Sequence, residues 1–563
     1  MKGVVILLPT IIRGQKMMIN RRQVLQGVGA GAGALSVNGV LATSAGNRGF
    51  THGVASGDPL SDRVILWSRY VPEGNVAHAE NIIWQVAYDR AFGDIAATGM
   101  TSTHRDRDFT VKVDATGLKS GRRYFYRFVI DGHRSETGST KTLPSGEVDR
   151  FRLGVASCSN YPQGYFHAYD DMAKSDLDLV LHLGDYIYEY ARGRYVNPIA
   201  EDTLGRAVEP PNEIISLDDY RARYAVYRSD KDLQAAHAAH PWICVWDDHE
   251  LMNNTWRGGA ENHNEGEGDF DERIAAARTA YHEWMPIRTA AQTDQAPIYR
   301  RFQIGQLADL IMLDTRLQGR DEQLDYPRDI AQAGSPEAFV KDLLMNPDRT
   351  ILGADQENWL ASQLADSQDR GATWQVIGQQ VLMGKLITPL IPKETLDTLD
   401  LADRYRPRLE RLEQIARAKL PLNLDAWDGY PVCRERIHGL FKQFAPNPVV
   451  LAGDTHNAWA FNMQNQQGEE VGVEIGTPGV TSPGMEAYLP APSQMMQDAF
   501  KASSAELFDL DTTRRGWTVV EMTPTEVTSK WRFLSTILES QYQINESETL
   551  LCKAGDKRFS VRD

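Results

Sequence analysis

Three separated stretches of this chain follow one pattern, an apolar run that stops at Asp or His. Leu179-Val180-Leu181 and Leu183 lead to Gly184-Asp185, and Val245-Trp246 leads to Asp247-Asp248-His249-Glu250. Val449-Val450-Leu451-Ala452 leads to Gly453-Asp454-Thr455-His456. Short apolar runs of this kind read as buried strands of an open α/β sheet, whose ligands gather at the C-terminal strand ends. Gly184 lets the chain turn sharply there without a Cβ penalty. A single Gly-Asp is an ordinary turn. Three strand ends carrying carboxylates and imidazoles predict a shared site.

With 563 residues the chain is too long for one ordinary core, which predicts two domains or one large domain with insertions. A formal net charge of −16 argues against nucleic acid as a general partner, because phosphate backbones need a basic footprint. Cys158, Cys244, Cys433 and Cys552 are too few and too scattered for a disulfide scaffold or a paired-cysteine zinc site. At the N-terminus, Asn20-Arg21-Arg22-Gln23-Val24-Leu25-Gln26 precedes a mild apolar stretch rich in Gly and Ala. Paired arginines ahead of such a stretch resemble a twin-arginine export signal. Residues 1–45 are therefore expected to be leader, with the twin-arginine translocase as partner and a periplasmic or extracellular destination. The stretch is too short and glycine-rich to predict a stable membrane span.

Residues 50–145 read as a β-sandwich module. Strand-like runs at Val64–Trp67, Ile82–Tyr88, Phe109–Val113 and Tyr124–Val129 are separated by turn residues, with Asp131-Gly132 as a hairpin turn. The stretch Leu118–Tyr124 resembles a corner of a fibronectin-III-like module. From Phe151 the pattern changes to alternating strands and helices, the signature of an α/β domain over residues 150–563. Strands are expected at Phe151–Cys158, Leu177–Leu183, Trp242–Trp246, Leu307–Leu313, Gln375–Ile377 and Val449–Leu451. Helices are expected at Phe166–Lys174, Asp219–Ala239, Asp271–Trp284, Arg408–Ala418 and Arg434–Phe444. Trp517–Met522 reads as a closing strand.

The strand ends offer Cys158, Asp185, Tyr188, Asp248, His249, Asn253, Asn254, Asp454 and His456. Carboxylates with a phenolate and a thiolate make a highly anionic set suited to a trivalent or oxygen-preferring ion. Asp185 has two oxygens with which to bridge two ions, and paired metals clamp both oxygens of an in-line displacement at phosphorus. His249 follows Asp248 directly and can face substrate as an acid–base group. Leu313-Asp314-Thr315-Arg316 ends another strand, where Arg316 is a candidate for a phosphoryl contact or for a structural salt bridge. Taken singly, Cys158 is also a buried thiol, Tyr188 a packing aromatic, and Asn253 or Asn254 a helix cap.

In this order, Ala156-Ser157-Cys158, Gly184-Asp185-Tyr186-Ile187-Tyr188-Glu189, Trp246-Asp247-Asp248-His249-Glu250 with Asn253-Asn254, and Gly453-Asp454-Thr455-His456 resemble the PhoD-type alkaline phosphatases. These belong to the calcineurin-like metallophosphoesterase superfamily. Thr51–Pro59 resembles the start of their β domain. The resemblance implies a metallophosphoesterase-type αββα sandwich behind a small fibronectin-III-like β-sandwich. It implies Fe3+ held by Cys158, Asp185 and Tyr188, with Asp185 shared with Ca2+. Asp248 and Asp454 would stand where the superfamily usually has Asn and His ligands, and His456 where it has its final His. Asn254 would be a further ligand, and His249 the catalytic histidine. Most of the superfamily opens with Asp-x-His, whereas Ser157-Cys158-Ser159 stands here, which favours iron and calcium over Zn2+ or Mn2+.

The expected activity is hydrolysis of phosphomonoesters, and of phosphodiesters too, by a hydroxide held at the metals. One alternative is a dedicated phosphodiesterase or phospholipase D-like enzyme, if insertions at 191–217 and 385–435 leave a wide groove. A second is a non-catalytic cell-surface binding protein, which would have lost ligands at the strand ends.

Overall fold

The computed structural model describes residues 48–74, 76–289, 297–391, 406–488 and 492–562. The twin-arginine stretch and residues 392–405 of the second insertion lie outside the described residues. Among the described residues the strands form three sheets, and two of them are the central layers that carry the site.

The first sheet is built around three parallel strands, Phe151–Ala156, Leu179–His182 and Pro241–Cys244, with Leu181 opposite Val155 and Val180 opposite Trp242. The second holds Ala308–Met312, Trp374–Gly378, Pro448–Ala452 and Glu470–Gly476, also parallel. Nearly all these positions are buried, which is why the sequence shows continuous apolar runs instead of alternation. Helices cover the outer faces. Leu217–Arg228, Lys231–Ala239 and Phe270–Trp284 lie on the first sheet's side, and Gly353–Asp369 and Pro431–Phe444 on the second's. The result is the αββα sandwich.

Local chemistry sets the helix boundaries. Ser216 and Asp219 form a capping box, and Asp269 caps the helix that buries Ala277, Tyr281 and Trp284. The single helix expected over Asp219–Ala239 is two. Asp230 takes an extended conformation and accepts the N–H groups of Asp232 and Leu233, so a new helix begins there.

The N-terminal residues form a two-layer β unit. Ile82, Val86, Tyr124, Tyr126 and Phe128 of one sheet pack on Val54, Val64, Leu66 and Val111 of the other. The Lys119 N–H donates to the Tyr124 hydroxyl at 2.7 Å, closing the corner, and Asp131-Gly132 makes the hairpin turn with both residues at positive φ. One layer of this unit also belongs to the first sheet. Gly49–Gly57 pairs in parallel with Pro241–Cys244, Ser56 lying opposite Pro241, and Arg63–Val71 and Thr110–Thr116 extend the same sheet. Gly57 permits the close approach, because a Cβ there would lie 2.1 Å from the Pro286 carbonyl oxygen and 2.6 Å from that of Trp242. The buried Asp58 carboxylate then takes Arg300 at 2.7 Å. At the other edge Gly516–Met522 pairs antiparallel with Phe151–Ala156, Thr518 opposite Val155. No helix among the described residues is long and apolar enough to cross a membrane.

Candidate metal centre

The strand ends of the two sheets converge. From the first sheet come Cys158, Asp185 with Tyr188, and Asp247–Glu250; from the second come Asp314–Arg316, Gln380, Asp454–His456 and the loop through Ser482. Cys158, Asp185, Asn254, Asp454 and His456 all have left-handed backbones, with φ between 52° and 64°. This conformation is uncommon for residues with a Cβ, and its concentration here marks turns held by their surroundings to aim side chains inward. Gly184, at φ +109°, precedes Asp185; a Cβ on it would sit 2.3 Å from the Asp247 Cβ.

Three groupings place potential ligand atoms within 4.8 Å of one another: Cys158, Asp185 and His456; Asp185, Asp248 and His249; and Asp247, Asp248 and Asp454. Asp185 belongs to two of them. The Tyr188 hydroxyl donates to Asp185 Oδ2 at 2.9 Å and lies 2.6 Å from Ser482 Oγ and 3.4 Å from His456 Nε2. Asn254 donates its backbone N–H to Asp248 at 2.6 Å and its side-chain amide to Glu261 at 2.8 Å. Asn253 donates its N–H to Glu189, and its side-chain oxygen is buried without a partner. Arg316, read in the sequence as a phosphoryl contact or a salt-bridge partner, is fully buried and ion-paired with Asp247, Asp425 and Asp454.

The donor set fits metal ions. Asp185 Oδ1, Asp247 Oδ2, Asp248 Oδ1 and Asp454 Oδ2 are buried and accept no hydrogen bond, although buried polar atoms are nearly always paired. Burial, and then the charge of Asp185, pushes both the Cys158 thiol and the Tyr188 phenol up. Burial and like charge also push the Asp185 and Asp454 carboxyls up. All four shifts express a surplus of negative charge in a dry place, which an added cation relieves. His456 is pushed down to about 3, chiefly by burial, and so is neutral, the form in which imidazole binds metal. Its Nδ1–H donates to the Pro483 carbonyl at 2.8 Å, leaving Nε2 toward Asp185 at 3.9 Å.

His249 differs. Burial opposes its charge, but Asp248, Glu189 and Asp185 together outweigh that and push it well above the ordinary histidine value. Its Nδ1–H donates to Glu189 Oε2 at 2.7 Å, and its ring lies against Tyr188 with centroids 4.2 Å apart. Glu189 in turn accepts from Asn253 N–H and the Asn262 amide.

Several contributors carry little or no mark in the sequence. Glu250 accepts the backbone N–H groups of Asp185 at 3.0 Å and Asp247 at 2.8 Å, and also that of Tyr186. Gln380 accepts from Thr315 and donates to the Trp246 carbonyl, tying the two sheets together. Arg515 donates to the carbonyls of His456 and Ser482. Glu250 stands within the Asp247–Glu250 motif and is the most discoverable; Gln380, Asp425 and Arg515 carry no local signal.

A two-sheet sandwich with metal-type ligands on facing strand ends is the architecture of a metallophosphoesterase. Residues 153–531 match the PhoD-like phosphatase family and residues 34–144 its N-terminal domain. The chain belongs to the PhoD-like phosphatase family. It is 38% identical over 471 residues to alkaline phosphatase D of Bacillus subtilis (strain 168), covering 80% of this chain and 73% of that one. It is also similar to a solved structure of PhoD, at 32% identity and a TM-score of 0.76, covering 93% of this chain and 94% of the other.

Proposed function

We propose that this protein is a metal-dependent phosphatase that hydrolyses phosphomonoesters and, at the same centre, phosphodiesters. The observation that carries this reading is the group of four buried carboxylate oxygens that accept no hydrogen bond, beside Cys158, Tyr188 and His456. Cys158, Asp185, Tyr188 and His456 would hold one ion, and Asp185, Asp248 and Asp454 another, with Asn253 or Asn254 at its edge. The soft thiolate with a phenolate suits ferric iron, and the all-oxygen set suits calcium. Bound there, the metals would supply an activated water and positive charge against the phosphoryl oxygens.

The chain's own residues do the rest. Glu189 fixes the His249 ring through Nδ1, so its remaining nitrogen is free to hold a proton for the leaving oxygen. Glu250 and the left-handed turns keep Asp185 and Asp247 aimed inward. Near-complete burial of the ligands keeps bulk water from screening the charges.

The test is hydrolysis of p-nitrophenyl phosphate and bis-p-nitrophenyl phosphate with and without chelator, alongside elemental analysis. Chelator-sensitive release from both esters supports the reading, and chelator-resistant background rates overturn it. Iron with calcium and a visible band that shifts in Tyr188→Phe supports the metal assignment; colourless zinc or manganese protein overturns it. Export is proposed from Arg21-Arg22. Replacing both with lysine should retain the protein in the cytoplasm, and unchanged export would overturn the twin-arginine route.

A further inference from the structure

Arg316 is the least ordinary side chain in this centre. It is fully buried, and each of its nitrogens faces a carboxylate. Nε donates to Asp247, Nη1 lies 2.9 Å from Asp425 Oδ2, and Nη2 lies 3.3 Å from Asp454 Oδ1 and 3.7 Å from Asp248 Oδ1. Every nitrogen of the fork is thus already engaged with a carboxylate. Its loop is set in advance, because Asp314 Oδ1 accepts the backbone N–H groups of Arg316 and Leu317 at 2.9 and 3.0 Å. Thr315 is pinned by Gln380, and Arg320 holds Asp425 from the other side.

Three of these four carboxylates, Asp247, Asp248 and Asp454, are also one of the groupings whose oxygens lie close enough to share an ion. An arginine cannot be deprotonated in a protein, and a planar fork of donors meets several carboxylates at once. The guanidinium thus does for this corner what a metal ion would do: it neutralises carboxylates that are too costly to bury alone.

We infer that Arg316 is a permanent cation of the metal centre, set beside the ion proposed at Asp185, Asp248 and Asp454, where it keeps the Asp247–Asp248–Asp454 corner from taking up a further ion. A neutral residue at 316 converts this corner into an additional divalent-ion site. This rests on the metal-centre reading above and deepens it. Arg316 is then a positioning residue: it holds Asp248 and Asp454 at their spacing and fixes how many ions the centre takes up. Hard oxygen donors in this corner would favour calcium over softer ions.

The experiment is equilibrium dialysis of the full-length protein against calcium chloride, with ions per chain counted by elemental analysis. Wild type, Arg316→Met, Arg316→Lys and the double variant Arg316→Met with Asp247→Asn are compared. Arg316→Met should bind one more calcium ion per chain than wild type. Arg316→Lys should match wild type, and the double variant should lose the extra ion. If Arg316→Met is unstable without calcium, its unfolding temperature should rise with calcium more steeply than that of wild type. An unchanged ion count in folded Arg316→Met overturns the inference, as does a variant that no concentration of calcium restores. A wild-type protein that holds no tightly bound metal instead overturns the metal-centre reading, so the two failures are distinct.

Discussion

The two sheets meet at one site but contribute differently to it. The first sheet's strand ends bring Cys158, Asp185, Tyr188, Asp248 and His249, most of the candidate ligands and the candidate acid–base group. The second brings Asp454 and His456, together with Arg316 and Gln380, which pair with or hold what the first supplies. A pair of buried glutamates shows the contrast most clearly. Glu250, on the first sheet, grips the backbone N–H groups of Asp185, Tyr186 and Asp247. Glu474, on the second, grips those of Met383 and Gly384 at 2.7 Å each. Burial pushes both up to about 8. The device is the same on both sheets, but only Glu250 holds residues of the candidate metal centre.

The contrast can be broken most directly at Asp185, which belongs to two ligand groupings. Asp185→Ala should reduce phosphatase activity to background and release bound metal, measured by turnover and elemental analysis together. The acid–base role is proposed for His249, so His249→Ala should lower kcat by about 10²–10⁴-fold while metal content stays at the wild-type level. Glu250→Gln places an amide N–H against backbone N–H groups and should lower kcat by roughly 10- to 100-fold, in the range of supporting shells around metal ligands. Glu474→Gln should leave kcat within about twofold but cost about 1–3 kcal/mol of stability in denaturant unfolding. Equal kinetic effects of the two glutamine variants would erase the distinction between the sheets.

The smallest effect is a pH slope. The Glu474 carboxyl is raised to about 8 in the folded protein, above its ordinary 4.5. Its contribution to stability is therefore complete below about pH 4.5 and lost as pH rises through about 8. Thermal unfolding of wild type should show that decline, and Glu474→Gln, which cannot ionise, should show a shallower one.

The sequence makes part of this legible for a physical reason. Buried parallel strands are continuous apolar runs, so Asp185, Asp248 and Asp454 stand out where those runs stop. Tyr188 and His456 follow within a few residues and can be read with them. Asp247 is hidden beside Asp248, because both follow the same strand and local pattern does not say which carboxylate meets Arg316. Asp425, Gln380 and Arg515 lie on loops far along the chain, and only the closing of two sheets on each other brings them in. The left-handed turn at Cys158 is equally hidden, since cysteine, unlike Asn, Asp or His, is not a residue type that favours positive φ. The β unit's shared sheet escapes the sequence for the same reason: pairing of Ser56 with Pro241 leaves no mark on either segment alone.

That shared sheet also dictates an order of assembly. Its central strands are flanked on one side by Gly49–Gly57 and on the other by Gly516–Met522, drawn from opposite ends of the chain. Thr518 meets Val155 across more than half the length of the polypeptide. Loop closure over such distances is slow and must precede the contacts that reward it. The first sheet therefore cannot be completed until nearly all of the chain has left the ribosome, and a chain truncated before residue 516 would expose the Phe151–Ala156 edge to association with other chains.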